Sequence, residues 1–162
     1  MEVKMKGKPL QLIKEPIKIG ETLDFVATNL NMSDFKITDI VKKKKVISVV
    51  PSVDTSTCLT QTKHMNENIS KLENMQLITI SRDLPFAQNK ACESFKDNNH
   101  ILISDYKYRD FGIKTGLVIQ KLELLARTLL VLDKNNIVIY IDINEETSAE
   151  PNYTKLWDFL NK

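Results

Sequence analysis

The segment Val46-Ile47-Ser48-Val49-Val50-Pro51-Ser52-Val53-Asp54-Thr55-Ser56-Thr57-Cys58 decides how this chain is read. Val46 to Val50 is β-branched and apolar except for Ser48, and too short for a helix. It predicts a central strand buried on both faces. Beyond it, Thr62, Met65, Ile69 and Leu72 recur from Cys58 at helical spacing. Cys58 therefore stands where a buried strand gives way to a helix, on the core-facing side of the first turn. The unpaired amide N–H groups and the positive end of the helix dipole both favour an anion there. The reading makes the sulfur a thiolate, the nucleophilic form of cysteine.

Working outward, the 162 residues suit one domain, 1–162, with a sizeable core. A composition 42% hydrophobic and 27% charged is that of an ordinary globular chain rather than a disordered one. A net charge of +2 gives no argument for nucleic acid or an anionic membrane. The N-terminus lacks the apolar run of a signal peptide and no stretch reaches transmembrane length, so the expected compartment is the cytosol. There are two cysteines, Cys58 and Cys92, and in a reducing compartment such a pair is catalytic, redox-cycling or inert more often than a staple.

Residues 1–14 alternate around Lys6-Gly7-Lys8-Pro9 and predict an N-terminal β-hairpin. Leu23 to Thr28 and Phe35 to Ile40 read as two short strands, and Lys42 to Lys45 as a solvated turn. After the Cys58 helix, Met75 to Ile80 is an apolar strand. Leu84 to Phe95 is a helical segment opened by Pro85, with Ala87, Ala91 and Phe95 on its inner face and Gln88 and Cys92 on another. Ile101 to Ser104 is a further strand, Tyr106 to Gly116 a loop or short helix, and residues 117–126 fit strand or helix. Arg127 to Leu132 and Ile137 to Ile143 form a hairpin, and a terminal amphipathic helix begins at Pro151 with Leu156, Trp157 and Leu160 inward. This order specifies an α/β fold with a mixed central sheet flanked by helices on both faces.

Pro51-x-x-x-Thr55-x-x-Cys58 resembles the peroxidatic-cysteine motif of peroxiredoxins, which are built on a thioredoxin-like fold. Ser81-Arg82-Asp83-Leu84-Pro85-Phe86-Ala87-Gln88 leading to Cys92, then Leu124-Leu125-Ala126-Arg127 and the N-terminal hairpin, narrow the resemblance to the bacterial thiol peroxidases (atypical two-cysteine peroxiredoxins). The resemblance implies that Cys58 is the peroxidatic and Cys92 the resolving cysteine. Thr55, Pro51 and Arg127 would support the chemistry. No metal or organic cofactor is implied. Hydroperoxides, organic and lipid ones included, would be the substrates, thioredoxin the reductant, and the protein a homodimer. Leu23-Asp24, Arg82, Lys96 and Thr115 depart from the family pattern.

The residues themselves support these roles. A Thr55 hydroxyl one turn before Cys58 can reach the sulfur and a peroxide. Pro51 has no N–H and fixes the entering chain. Arg127, between apolar flanks, would carry guanidinium donors beside the core, where they need partners. Because a disulfide needs Cα atoms within about 7 Å, joining Cys58 to Cys92 would unwind the first turn at Cys58, the segment around Cys92, or both. The chain has no Cys-x-x-Cys, which argues against a protein dithiol oxidoreductase. A thioredoxin-fold redox sensor switched by the same pair stays open as the alternative. His64 and His100 lack metal-ligand spacing and read as solvated or satisfied, and Glu145-Glu146 as loop surface.

Overall fold

The computed structural model describes residues 1–69, 71–95 and 99–162; Lys96 lies outside them. The N-terminal alternation forms β1 (Glu2–Met5) and β2 (Lys8–Gln11), an antiparallel pair joined by Lys6 and Gly7. Both turn residues have left-handed φ, 51° and 75°, as the two-residue turns that match strand twist require. There follow β3 (Val26–Asn29), β4 (Asp34–Lys36), β5 (Lys44–Val49), α1 (Ser56–Ile69), β6 (Met75–Ser81), α2 (Pro85–Ala91), β7 (His100–Ser104), α3 (Asp110–Thr115), β8 (Val118–Ile119), β9 (Leu124–Leu125), β10 (Thr128–Leu132), β11 (Val138–Ile143) and α4 (Tyr153–Leu160).

The central sheet has the order β11-β10-β5-β6-β7-β3-β4. The middle three strands, β5, β6 and β7, run parallel, and the strands outside them pair antiparallel. This is the mixed sheet that the element order specified. Its alternating residues feed two cores. On one face Val46, Leu77, Leu129 and Val131 meet Met65 and Ile69 of α1 and Leu156 and Leu160 of α4. On the other, Ile47, Val49, Ile78, Ile80, Ile103, Leu130 and Leu132 meet Phe111 of α3 with Phe25 and Leu125. Burying one such aliphatic side chain contributes about 1.5–3 kcal/mol, so burial on both faces holds the sheet between its helices.

Several local expectations change. The stretch from Leu23 enters the ladder only at Val26, because Leu23 and Phe25 are held by side-chain burial and the Val26 amide donates to Asp110 Oδ2 at 2.9 Å. Phe35 to Ile40 is strand only to Lys36; Ile37–Asp39 closes a 3-10 turn through the Ile40 amide. The lysine run is not all solvated. Lys45 lies within β5 and is fully buried, its Nζ donating to the carbonyls of Asp133 and Lys134 and, at 2.7 Å, to Asn136 Oδ1. Burial lowers its pKa below the usual lysine value. The inner face of α2 is also different: Pro85, Gln88 and then Cys92 are buried while Ala87 is exposed. Gln88 turns inward because its amide donates to Ser81 Oγ (2.9 Å) and the Ile103 carbonyl (2.7 Å). Residues 117–126 resolve as the short β8–β9 pair.

Both histidines are satisfied. His100 bonds Thr79 Oγ1 and Asn66 Oδ1, each at 2.8 Å. His64 Nε2 accepts from Trp157 Nε1 at 3.1 Å, and its ring stacks on Tyr153 at 3.8 Å, so it pins α4 to α1. Burial lowers the His64 pKa, partly offset by Glu150 and Glu67. The unfolded chain therefore takes up this proton first, near pH 6.5, and the fold loses stability as the pH falls through that value. The melting temperature of wild type is expected to drop between pH 7.5 and 5.5, and the drop is expected to shrink in His64→Gln, measured by circular dichroism; an equal drop in both would contradict the assignment.

Candidate active site

The parallel strands end on one edge, and the antiparallel strand β10 begins there. Thr128 pairs with Val49, so Arg127 stands beside the point where β5 releases the Pro51–Cys58 segment. Arg127 is only 2% exposed. Its Nη2 donates to Cys58 Sγ at 3.3 Å, Nη1 to Gln61 Oε1 at 2.7 Å, and Nε to the Thr147 carbonyl at 2.8 Å. A buried guanidinium needs such partners, and a rigid fork with two anchored arms aims the third at the sulfur.

Gln61 was not expected in this role. It lies three residues after Cys58 on the same helix face and is fully buried, donating through Nε2 to Ser48 Oγ at 2.8 Å. The signal was its i+3 spacing from Cys58, and also Ser48, the one polar residue of the buried strand. Pro51 is buried, and Val50 before it donates to the Ile80 carbonyl at 3.1 Å, so the start of the loop is tied to β6. Thr55 is exposed and precedes the first helical residue. Its hydroxyl donates to the Ser52 carbonyl (3.2 Å) and accepts the Cys58 amide (3.4 Å). It caps α1 at its N-terminus, with those two bonds rather than a bond to the sulfur.

Asp83 is a second residue the sequence did not single out for a role. Its carboxylate accepts from Ser52 Oγ at 2.7 Å, the Val53 amide at 2.8 Å and Ser81 Oγ at 2.6 Å. It fastens the loop before Cys58 to the end of β6. Cys92 follows α2 and is 1% exposed, in one apolar cluster with Cys58, Val50, Val53 and Leu102. Both cysteines are free thiols. Burial, and then the nearby Asp83 charge, push the Cys92 thiol up to about 11. The two sulfurs thus differ sharply: Cys58 receives a cationic donor, while Cys92 is kept protonated in an apolar setting. Among the described residues no group of His, Cys, Asp and Glu could hold a metal ion, and no helix is long and apolar enough to cross a membrane.

Of the departing positions, Leu23 is a core residue, the Asp24 carbonyl accepts Lys114 Nζ, and Thr115 is buried with its hydroxyl on the Phe111 carbonyl. Arg82 does more. Its side chain is 6% exposed and bridges Asp105 at 3.2 Å and Glu123 at 3.0 Å, tying the end of β6 to the β8–β9 pair.

This geometry, one cysteine sulfur held against a buried guanidinium at the start of a helix on a thioredoxin-like scaffold, is the arrangement of a thiol-dependent redox protein. A family model described as Redoxin matches residues 7–156. A thiol peroxidase of Oceanobacillus iheyensis is 38% identical over 161 residues, covering 99% of this chain and 98% of that protein. One of Clostridium acetobutylicum is 40% identical over 157 residues, covering 96% and 95%. The crystal structure of a peroxiredoxin-like protein from Aquifex aeolicus superposes with a TM-score of 0.90 at 34% identity, covering 99% and 95%. The chain belongs to the redoxin family and, within it, to the bacterial thiol peroxidases: it is a peroxidase of the oxidoreductase class.

Two outcomes test the site. In a Cys58→Ser background, Cys92 is expected to react with iodoacetamide at pH 8 at least about tenfold more slowly in the native protein than in urea, as a thiol pushed to about 11 requires. Asp83→Ala leaves three donors without their acceptor, at about 1–3 kcal/mol for each that stays buried. That variant is expected to speed Cys92 alkylation; an unchanged rate would show that Asp83 does not guard this thiol.

Proposed function

We propose that the protein reduces hydroperoxides through Cys58, with Cys92 closing the cycle as an intramolecular disulfide. The observation that carries this reading is the 3.3 Å contact between Arg127 Nη2 and Cys58 Sγ in a buried, doubly anchored geometry. Cys58 attacks one peroxide oxygen as a thiolate. A sulfur–oxygen bond forms, the O–O bond breaks, and its electron pair leaves with the other oxygen. That oxygen is released as water or an alcohol once protonated, and Cys58 is left as sulfenic acid. Arg127 donors meet negative charge on the sulfur and on the oxygens of the breaking bond. Pro51 walls the pocket. The Thr55 hydroxyl stands exposed at its mouth, where exchange of its bond to the Ser52 carbonyl lets it meet the peroxide.

Cys92 sulfur then attacks the sulfenic sulfur. The S–S bond forms and the hydroxyl leaves as water. The closed state opposes this step, because a buried protonated thiol is a poor nucleophile. Opening around α2 would carry Cys92 away from Asp83 and into water, lowering its pKa and freeing it to move. Local opening of this kind draws on the low-stability end of a fold. An external dithiol, thioredoxin in our reading, reduces the disulfide. Hydrogen peroxide and alkyl or lipid hydroperoxides are the substrates, and the protein works as a cytosolic homodimer.

Three variants test the cycle by stopped-flow peroxide consumption and mass spectrometry. Cys58→Ser is expected to abolish turnover, and retained turnover would remove the nucleophile assignment. Cys92→Ser should complete one peroxide reduction and then stall with thioredoxin; full recycling of that variant would exclude the resolving role. Arg127→Ala is expected to lower the second-order rate constant with peroxide by about 10²–10³-fold, the scale of losing one preorganised charged donor, and a rate within twofold of wild type would count against it.

A further inference from the structure

The acidic pair Glu145-Glu146 is not simple loop surface, because it lies between the N-terminal hairpin and the active-site arginine. Lys4 of β1 joins the loop as a parallel bridge opposite Glu146. The Lys4 amide donates to the Glu145 carbonyl at 2.6 Å, and the Thr147 amide donates to the Lys4 carbonyl at 2.7 Å. The Glu146 carboxylate then gathers the hairpin turn. It accepts from the Lys6 amide at 2.9 Å and the Gly7 amide at 3.0 Å, and on its own side from the Ser148 amide at 3.0 Å and the Ser148 hydroxyl. The left-handed φ of Lys6 and Gly7 belongs to the same tight turn whose two amides reach one carboxylate.

What this clamp holds in place is the Thr147 carbonyl, the acceptor for Arg127 Nε. The same loop accepts Thr57 Oγ1 at the Ser148 carbonyl, next to Cys58 on the first turn of α1. Beneath the hairpin, Val3 and Leu12 pack with Ile119 and with Ala126, the residue before Arg127. We propose that Glu146 is a positioning residue for Arg127, and that the N-terminal hairpin is thereby part of the frame of the active site. With Glu146 in place, the guanidinium has two fixed anchors, Gln61 from α1 and Thr147 from the loop, and its third arm is confined to the sulfur. Without it, one anchor is released and the fork rotates about the Gln61 bond. The Glu146 carboxyl is held down to about 2, first by the Ser148 hydroxyl and then by the Gly7 and Ser148 amides, so the clamp stays ionised across the working range.

The activity arm of the test rests on the reading of Arg127 given above; the structural arm does not. In the ¹⁵N-labelled full chain, the Arg127 Nε–H resonance is expected to exchange slowly with water. Glu146→Ala should speed that exchange about tenfold, as loss of a local anchor would. Glu146→Gln, which keeps one acceptor oxygen, should fall between. An exchange rate unchanged in Glu146→Ala overturns the proposal. In the double-mutant cycle on the peroxide rate constant, Glu146→Ala should lose about five- to tenfold when Arg127 is present and less than about twofold when it is already alanine. Equal losses in the two backgrounds would place the effect outside Arg127 and overturn the proposal. If Arg127→Ala alone proved silent, the proposed chemistry would fail, and the exchange measurement would still decide the role of Glu146.

Discussion

A single buried cation organises this protein. Arg127 sits 2% exposed with one donor on each of three acceptors, and those acceptors come from α1 and from the loop after β11. An isolated buried charge costs several kcal/mol, so the guanidinium is tolerated there only because all three acceptors stand where they do. The sulfur of Cys58 is one of the three. The contact that satisfies the guanidinium therefore also sets a cationic donor against the Cys58 sulfur.

The sheet topology makes this meeting possible. Because β10 runs antiparallel to β5, its first residues lie beside the last residues of β5, where the cysteine loop departs. Because β6 is parallel to β5, its end lies there too and delivers Asp83 to the same loop. Cys58 and Cys92 then occupy one apolar cluster but opposite electrostatic settings, one facing a guanidinium and the other a carboxylate. That asymmetry sets the two sulfurs apart without any difference in burial.

A second ionic cluster braces the same edge. Arg82 joins Asp105, and Asp105 also accepts the Phe111 and Gly112 amides, so the start of α3 is tied to the end of β6. Burial raises the Asp105 pKa, while the Gly112 amide and Arg82 oppose that shift. The approach is close: a Cβ at Gly112 would lie 2.8 Å from Arg82 Nη2 and 2.6 Å from Val118 Cγ2. The large side chain at position 82 is accommodated because position 112 carries none. With Glu123 on its far side, Arg82 ties the β8–β9 pair to the end of β6.

The sequence alone determined the strand–loop–helix junction at Cys58, the two hairpins and the alternation of the parallel strands, because each is written in contiguous residues whose periodicity reports burial. It also brought Pro51, Thr55, Cys92 and Arg127 into view through the family resemblance, with the apolar runs flanking Arg127 in support. Only the tertiary structure decided that Lys45 is interior, that Gln88 faces the core rather than Ala87, that Gln61 bonds Arg127, that Asp83 fastens the loop before Cys58, and that Glu146 gathers the hairpin turn. The reason is the same in each case. A polar side chain in sequence reads as solvent-facing until its partner is known, and these partners come from distant strands and turns that meet only when the sheet is assembled.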